Sequence, residues 1–234
     1  YKFVCWEFGG EYYLDGQVIS MLSPTGADVV MKAVWVADSD PELVPNGDFS
    51  AAEEFNEIKA NAQYGNENWL LSKINSVKAT DGALVFNATT GAKTSNKNFY
   101  VSVLLNLDSV KAGDKFVISF DAKTDNEKFT YTGAWIRAKK DADAGFKTIT
   151  DFQEFTLTTD TVRYTYIAEA TEDNVSAAGT PTLFYLVIGF DDGSADTATF
   201  TLDNVSVKKF TEPKAEKSLL EQKVTLISDR KEND

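Results

Sequence analysis

A short stretch of alternating aromatic and polar residues, FTYTGAWIRAKK (Phe129 to Lys140), contains the residues best suited to bind a ligand. In a strand, successive side chains point to opposite faces, so Tyr131, Gly133, Trp135 and Arg137 share one face with Phe129. Aromatic rings beside a hydrogen-bonding cation suit a ligand with flat apolar patches and a polar rim, as a sugar ring has. Because burying an unpaired guanidinium is costly, Arg137 indicates that this face points outward.

Three further aromatic residues are candidates for binding the same ligand. In NFYVSVLLN (98–106) the apolar residues at alternate positions predict a core face and leave Tyr100 opposite. By the same alternation in LFYLVIGF (183–190), Tyr185 faces away from its apolar neighbours. Trp69 is the third candidate. Aromatic residues with period two more often form a core than a ligand platform, so that alternative stays open for all of them.

The composition limits which kinds of catalysis are available. The 234 residues include no histidine and a single cysteine, Cys5. Nucleophilic catalysis that depends on histidine is therefore excluded, and an intrachain disulfide or a cysteine metal cluster is excluded as well. A glycosidase that uses two carboxylates stays open in principle, but no motif places two acids in one cleft. We therefore do not expect an enzyme.

The charge of the chain bears on its partners. The formal net charge is -13 and the isoelectric point is about 4.5. An acidic surface repels phosphate backbones and anionic membrane surfaces, so nucleic acid is not an expected partner. No run approaches the roughly 18 apolar residues of a membrane helix, so no membrane insertion is expected.

Strand signals dominate the chain. Short runs rich in Tyr, Phe, Val, Ile and Thr alternate with Gly, Asn, Asp and Ser, as in KFVISFDAK (115–123), VRYTYIA (162–168) and FTLDNVSVKKF (200–210). Period-two patterning with one buried face is typical of antiparallel sheets, and many such strands predict a sandwich or barrel. The predicted fold class is therefore all-β.

Composition shifts divide the chain into four parts. A small N-terminal β-rich piece (1–37) is followed by an acidic, Pro-containing linker (38–41), a large domain (42–210) and a charged tail or linker (211–234). The chain opens in the middle of a pattern, so we expect it to be part of a larger multidomain chain, and we expect a monomer.

The large domain carries an ordered set of motifs. These are LVPNGDFS from Leu43, Trp69, DGALVF from Asp81, GDKFVISFDAK from Gly113 and FTLDNVSVKKF from Phe200. The order resembles carbohydrate-binding modules of families four, nine and twenty-two. That resemblance implies a β-jelly-roll sandwich of the galactose-binding-like type, with NGDF on its first strand. It also implies non-catalytic binding of a polysaccharide or oligosaccharide by aromatic stacking.

The same resemblance implies one structural calcium ion. Jelly rolls bring their terminal strands together, so Asp48 and Asp203 are the expected ligands and Asn46 is a further candidate. Many members have Glu at the position of Ser50, so this sequence departs from the pattern there. Calcium prefers several carboxylate and carbonyl oxygens. The alternative is that Asp48 and Asp203 are turn and surface residues.

The N-terminal piece resembles the second half of a Listeria–Bacteroides repeat, the internalin-type B repeat of bacterial surface proteins. Phe3, Trp6, Ala33 and Trp35 match its pattern, and Cys5 stands where Gly is usual. The resemblance implies an extracellular or cell-surface bacterial protein in which the repeat is a stalk or spacer. A generic β-hairpin appendage is the alternative.

Two functions from different classes remain after these arguments. The first is a non-catalytic sugar-binding module of a secreted or cell-surface protein. The second is a structural or adhesin spacer, a jelly roll without sugar binding. Exposed aromatic residues in a groove would favour the first.

Overall fold

The computed structural model describes residues 1–13, 28–36, 40–50, 69–72, 76–89, 99–139, 147–175, 182–190 and 197–210. Within these ranges the chain forms strands, turns and loops, and none of the described residues is helical. The strands are β1 (Lys2–Phe8), β2 (Glu11–Tyr13), β3 (Lys32–Val36), β4 (Trp69–Ser72), β5 (Ser76–Thr80), β6 (Ala83–Thr89), β7 (Phe99–Leu104), β8 (Ser109–Val110), β9 (Lys115–Thr124), β10 (Tyr131–Lys139), β11 (Lys147–Thr148), β12 (Gln153–Thr156), β13 (Val162–Glu169), β14 (Asn174–Val175), β15 (Leu183–Phe190) and β16 (Thr197–Phe210).

Two antiparallel sheets form a sandwich. The front sheet has the order β11-β10-β15-β7-β4, with β12 also paired to β10, and the back sheet has the order β13-β9-β16-β6-β5. Short strands β8 and β14 pair with each other. The all-β jelly-roll sandwich predicted from the sequence is confirmed.

The core lies between the two sheets and is rich in phenylalanine. Phe86 lies 5.2 Å from Phe190 and 5.4 Å from Phe200, measured between ring centroids, and all three are buried. Burying each such side chain contributes about 1.5–3 kcal/mol, so this cluster is a main source of the stability of the sandwich. The inward side chains of the two sheets meet across this core. They form the buried face that the alternating pattern of the sequence predicted.

Phe129 belongs to this core and not to the outward face on which the sequence analysis placed it. It is fully buried, and its ring meets Phe200 edge-on at 5.3 Å. Strand β10 begins only at Tyr131, and the Phe129 N–H donates to the Asn126 carbonyl in a preceding turn. The alternation of a strand does not extend into a turn, which is why the prediction for Phe129 was wrong.

The N-terminal strands form a separate sheet, β2-β1-β3, that packs on the outer face of the back sheet. Val4, Cys5, Val34 and Val36 from the N-terminal sheet share an apolar cluster with back-sheet residues that include Val117 and Phe210. The Lys115 ammonium also donates to the Tyr12 hydroxyl at 3.1 Å. At this place the back sheet is covered on both faces, unlike the one-sided burial that its alternation predicted.

Cys5 is a structural residue of that interface. It is 1% exposed, and burial raises the pKa of its thiol to about 11. A thiol with so high a pKa stays protonated at neutral pH and is a poor nucleophile. Cys5 is therefore a small buried residue of β1 and not a candidate nucleophile.

Some predicted regions lie outside the described residues: the tail 211–234 and residues 37–39 around the predicted linker. Nothing in the described ranges tests the four-part division of the chain or the resemblance to the bacterial repeat, which stay predictions. In the part of the chain that the structure describes, no helix has the length and apolar character needed to span a membrane.

Candidate ligand-binding face

Strand β10 has one face in the core and one face outside, as the sequence predicted. Thr132, Ala134 and Ile136 are fully buried between the sheets. Trp135 and Arg137 lie on the other face and are half-buried. The predicted outward orientation of Arg137 is therefore confirmed.

The register of the front sheet brings residues from three strands onto this outer face. Strand β15 lies between β10 and β7, so residues directly opposite one another point to the same side. The outward positions form three rows across β10, β15 and β7: Gly133, Gly189 and Tyr100; Trp135, Val187 and Ser102; Arg137, Tyr185 and Leu104.

Four aromatic rings form a continuous strip on the face, which we call the aromatic strip: Tyr100, Trp135, Phe152 and Tyr131. Trp135 meets Tyr100 edge-on at 5.7 Å and Phe152 edge-on at 4.7 Å, while Tyr131 stacks on Phe152 at 5.7 Å. All four side chains are half-buried, so each presents part of its surface to solvent. The Arg137 guanidinium carbon lies 5.8 Å from the Trp135 ring centroid, which adds a cation–π contact and donors beside the strip.

Phe152 is the member of the strip that sequence reasoning missed. It lies between β11 and β12, where the four residues 149–152 lie opposite only two residues of β10, Trp135 and Ile136. The Ile136 N–H donates to the Thr150 hydroxyl at 2.9 Å and so holds this bulged segment in place. A bulge redirects side chains out of simple alternation, so a period-two pattern could not have found Phe152.

Gly133 gives Phe152 its position. A Cβ atom at Gly133 would lie 2.4 Å from the Phe152 Cζ atom and 2.3 Å from the Gln153 carbonyl oxygen. Any other residue at 133 would therefore displace the Phe152 ring, the β12 backbone or both. Glycine is unfavourable in the interior of a strand, and here the close packing of Phe152 and β12 explains its presence.

Two of the predicted sugar-binding residues, Tyr185 and Trp69, are not part of the aromatic strip. Tyr185 is on the predicted face but only 4% exposed, because it packs with Val187 against neighbours that include Tyr100 and Trp135. Tyr185 therefore packs against members of the strip, and its ring is not available for stacking. Trp69 pairs with Val103 in the sheet register, and its side chain lies outside the described residues.

The predicted calcium residues lie where the start and the end of the large domain meet. The Val205 N–H donates to the Gly47 carbonyl at 2.8 Å, and a Cβ at Gly47 would lie 1.9 Å from the Val205 oxygen. The close approach requires glycine in the Asn-Gly pair. Residues 45–48 form a turn, with positive φ at Asn46 and Phe49, so the expectation that NGDF lies on the first strand was wrong.

The carboxylates at this junction already accept hydrogen bonds. Asp48 accepts from the backbone and the hydroxyl of Ser50, and these bonds lower the pKa of its carboxyl group. Asp203 accepts from the Asn204 N–H at 2.6 Å, at a β-bulge where Asn204 has a positive φ. Desolvation chiefly raises the pKa of Asp203, and the charges of Asp121 and Asp48 add to the effect.

A calcium ion at this junction would need oxygen ligands beyond the carboxylates of Asp48 and Asp203. Calcium takes about six to eight oxygen ligands. In the described ranges no group of three His, Cys, Asp or Glu side chains could hold a metal ion, and Asp48 is turned toward Ser50. Arg163 also places its guanidinium here, bonded to Asp121 at 3.1 Å. Calcium binding by Asn46, Asp48 and Asp203 stays a prediction.

Comparison with known proteins finds similarity only at the level of structure. No protein-family model matches the chain, and no curated protein matches it. A CBM4 structure is 18% identical over 62% of this chain and 97% of its own, with a TM-score of 0.49. An N-terminal cellulose-binding domain of Cellulomonas fimi β-1,4-glucanase C is 21% identical over 64% of this chain and 93% of its own, with a TM-score of 0.45. The second such domain is 17% identical over 74% and 97%, with a TM-score of 0.48.

Carbohydrate-binding modules are thus among the structural neighbours. The identities are below 25% and the TM-scores below 0.5, so the likeness does not extend to a ligand. What the chain binds has to be argued from its own outer face.

Proposed function

We propose that this chain is a non-catalytic module that binds a neutral polysaccharide or oligosaccharide on the aromatic strip. The observation that carries the proposal is the row of four half-buried aromatic rings on the outer face of the front sheet. Flat aromatic faces stack on the C–H patches of sugar rings, and the adjacent guanidinium of Arg137 can donate to sugar hydroxyls.

Preorganisation supports this proposal. Trp135 is held by edge-on contacts to Tyr100 and Phe152, and the strip rests on regular antiparallel strands. Side chains that are already ordered lose little conformational entropy when a ligand stacks on them. The position of the strip on a sheet, with only Phe152 contributed by a bulge, makes the platform rigid.

We also propose that the module works outside the cell, in a secreted or cell-surface protein, and that it acts by holding a polysaccharide near its parent chain. The negative net charge fits this role because it disfavours non-specific binding to nucleic acid and to anionic membranes. A structural spacer is the second candidate. It is favoured by the burial of Tyr185 and by the packing of the rings of the strip against one another, which buries part of their apolar surface without a ligand.

Replacing Trp135 with Ala tests the proposal. On gels that contain neutral polysaccharides such as xylan, mixed β-glucan or soluble cellulose derivatives, we expect the unmodified chain to be retarded. We expect the W135A variant to lose roughly tenfold or more of its affinity, because a stacked ring contributes about 1.5–3 kcal/mol.

The matched control is Trp35→Ala, which removes an exposed tryptophan from the N-terminal sheet, 45% exposed and remote from the front sheet. This variant should bind as the unmodified chain does. Absence of binding to every neutral polysaccharide by the unmodified chain would favour the spacer. Equal binding by the chain and both variants would show that the strip is not the platform.

A further inference from the structure

A cavity of about 580 Å³ opens at the edge of the sandwich, beside the bulged segment that carries Phe152. We call it the edge pocket. Asp151, Phe152 and Gln153 line one side, and the end of β13 from Tyr166 to Glu169 lines another. Because Phe152 also contacts Trp135 and Tyr131, its ring is the boundary between the aromatic strip and this pocket.

Several small residues line the pocket. They are Ala112, Gly113, Ala168 and Ala170, and Ala168 and Ala170 also belong to the core. The wall that contains Tyr166 is fixed, since the buried Tyr166 hydroxyl donates to the Ala134 carbonyl at 2.7 Å across the sandwich. The pocket is therefore backed by the core on this side.

The polar side chains around the pocket include two carboxylates. Asp151 and Glu169 are exposed carboxylates on opposite sides, and Gln153 adds an amide beside them. Carboxylates accept strong hydrogen bonds from hydroxyl groups, whereas their charge repels carboxylates and sulfates on a ligand. The chemistry fits a neutral molecule with many hydroxyl groups and an apolar patch for the Phe152 ring.

We propose that the edge pocket is a second subsite, which binds the terminal or branching sugar unit of a neutral glycan whose main chain lies on the aromatic strip. The inference rests on the proposed function, because the strip must hold the main chain first. The Phe152 ring then contacts both the main chain on the strip and the sugar unit in the pocket. Asp151 and Glu169 accept hydrogen bonds from the hydroxyls of the unit in the pocket. The site would favour longer or branched chains over short linear ones.

A pocket-filling variant tests this directly. Ala112 is exposed, and its backbone N–H donates a hydrogen bond to the Asp173 carboxylate at 2.7 Å. Because a substitution of the Ala112 side chain keeps this hydrogen bond, Ala112→Phe should fill the pocket without disturbing the fold. The probes are length series of linear β-gluco- and xylo-oligosaccharides and branched fragments of the same polymers, measured by isothermal titration. We expect Ala112→Phe to weaken binding of the longest or branched members at least fivefold and to leave the shortest bound member unchanged.

A second variant separates the possible results. Glu169→Gln keeps the volume and should weaken the same long or branched members by a smaller factor. If Ala112→Phe and Glu169→Gln bind every length as the unmodified chain does, the second subsite is wrong while the strip stands. If the unmodified chain binds no member of either series and W135A behaves identically, the proposed function fails and the subsite fails with it.

Discussion

At the scale of single residues, Asp203 shows how position in the fold changes the cost of a charge. Its carboxyl group is half-buried at a bulge, near Asp121 and Asp48, and its pKa is raised from the ordinary value of 3.8. A carboxyl group whose pKa is higher in the folded than in the unfolded state binds its proton more tightly when folded. Its contribution to stability therefore falls as the pH rises from about that value toward neutrality.

Asp203→Asn should remove this pH-dependent loss. We expect the free energy of unfolding of the variant to fall less between pH 4 and pH 7 than that of the unmodified chain. The gain at pH 7 should stay under about 1 kcal/mol, because solvent screens a half-exposed group. Urea unfolding at the two pH values measures it, with Asp160→Asn, an exposed carboxylate in a turn, as the control.

A variant that is clearly less stable than the unmodified chain at pH 7 would contradict this expectation. It would mean that the attraction of Arg163 for Asp203 outweighs the repulsion by Asp121 and Asp48.

Comparison of the unmodified chain with Asp203→Asn also tests the calcium prediction. A bound ion would stabilise the unmodified chain on addition of calcium and would stabilise Asp203→Asn much less. Equal melting temperatures with calcium or chelator would leave the junction as a hydrogen-bonded turn.

At the scale of elements, the N-terminal sheet is joined to the back sheet by an apolar interface. Val34 and Val36 point into it, whereas Ala33 and Trp35 alternate to the other side. The alternation that builds β3 thus decides which side chains hold the two sheets together. Packing of this kind couples the unfolding of the two sheets.

Val34→Asn tests that coupling. It would place an amide without hydrogen-bond partners in the interface, so we expect a loss of about 1–3 kcal/mol in the free energy of unfolding. Ala33→Asn, one residue away on the opposite face, should cost much less. Urea unfolding followed by tryptophan fluorescence and far-UV circular dichroism measures both variants. Similar losses for the two positions would mean that this interface does not stabilise the chain.

At the scale of the whole molecule, charge decides which glycans are acceptable. The net charge of -13 repels polyanions, whereas stacking on a neutral sugar does not depend on charge. We therefore expect binding of a neutral polysaccharide to change less than about twofold between low salt and 1 M salt, where the screening length is only about 3 Å. Affinity electrophoresis or titration at the two salt concentrations measures this.

The comparison ligand is an acidic polysaccharide such as a polyuronate of similar length. Its binding should be weak at low salt and should not weaken further as salt screens the repulsion. Strong binding to a polyuronate that disappears in 1 M salt would contradict the expectation and would point to Arg137 as the main contact.

By itself the sequence determined the all-β class, most strand positions and the outward face of β10, because period-two alternation is a local property of the chain. It also placed Trp135, Tyr131 and Arg137 on one face of a strand and gave Tyr100 as a separate candidate. Only the tertiary structure decided that Tyr185 is covered, that Phe129 lies in the core and that Phe152 joins the strip. These depend on register, on a bulge opposite Trp135 and on the missing side chain of Gly133, and contacts between distant segments do not leave a periodic pattern.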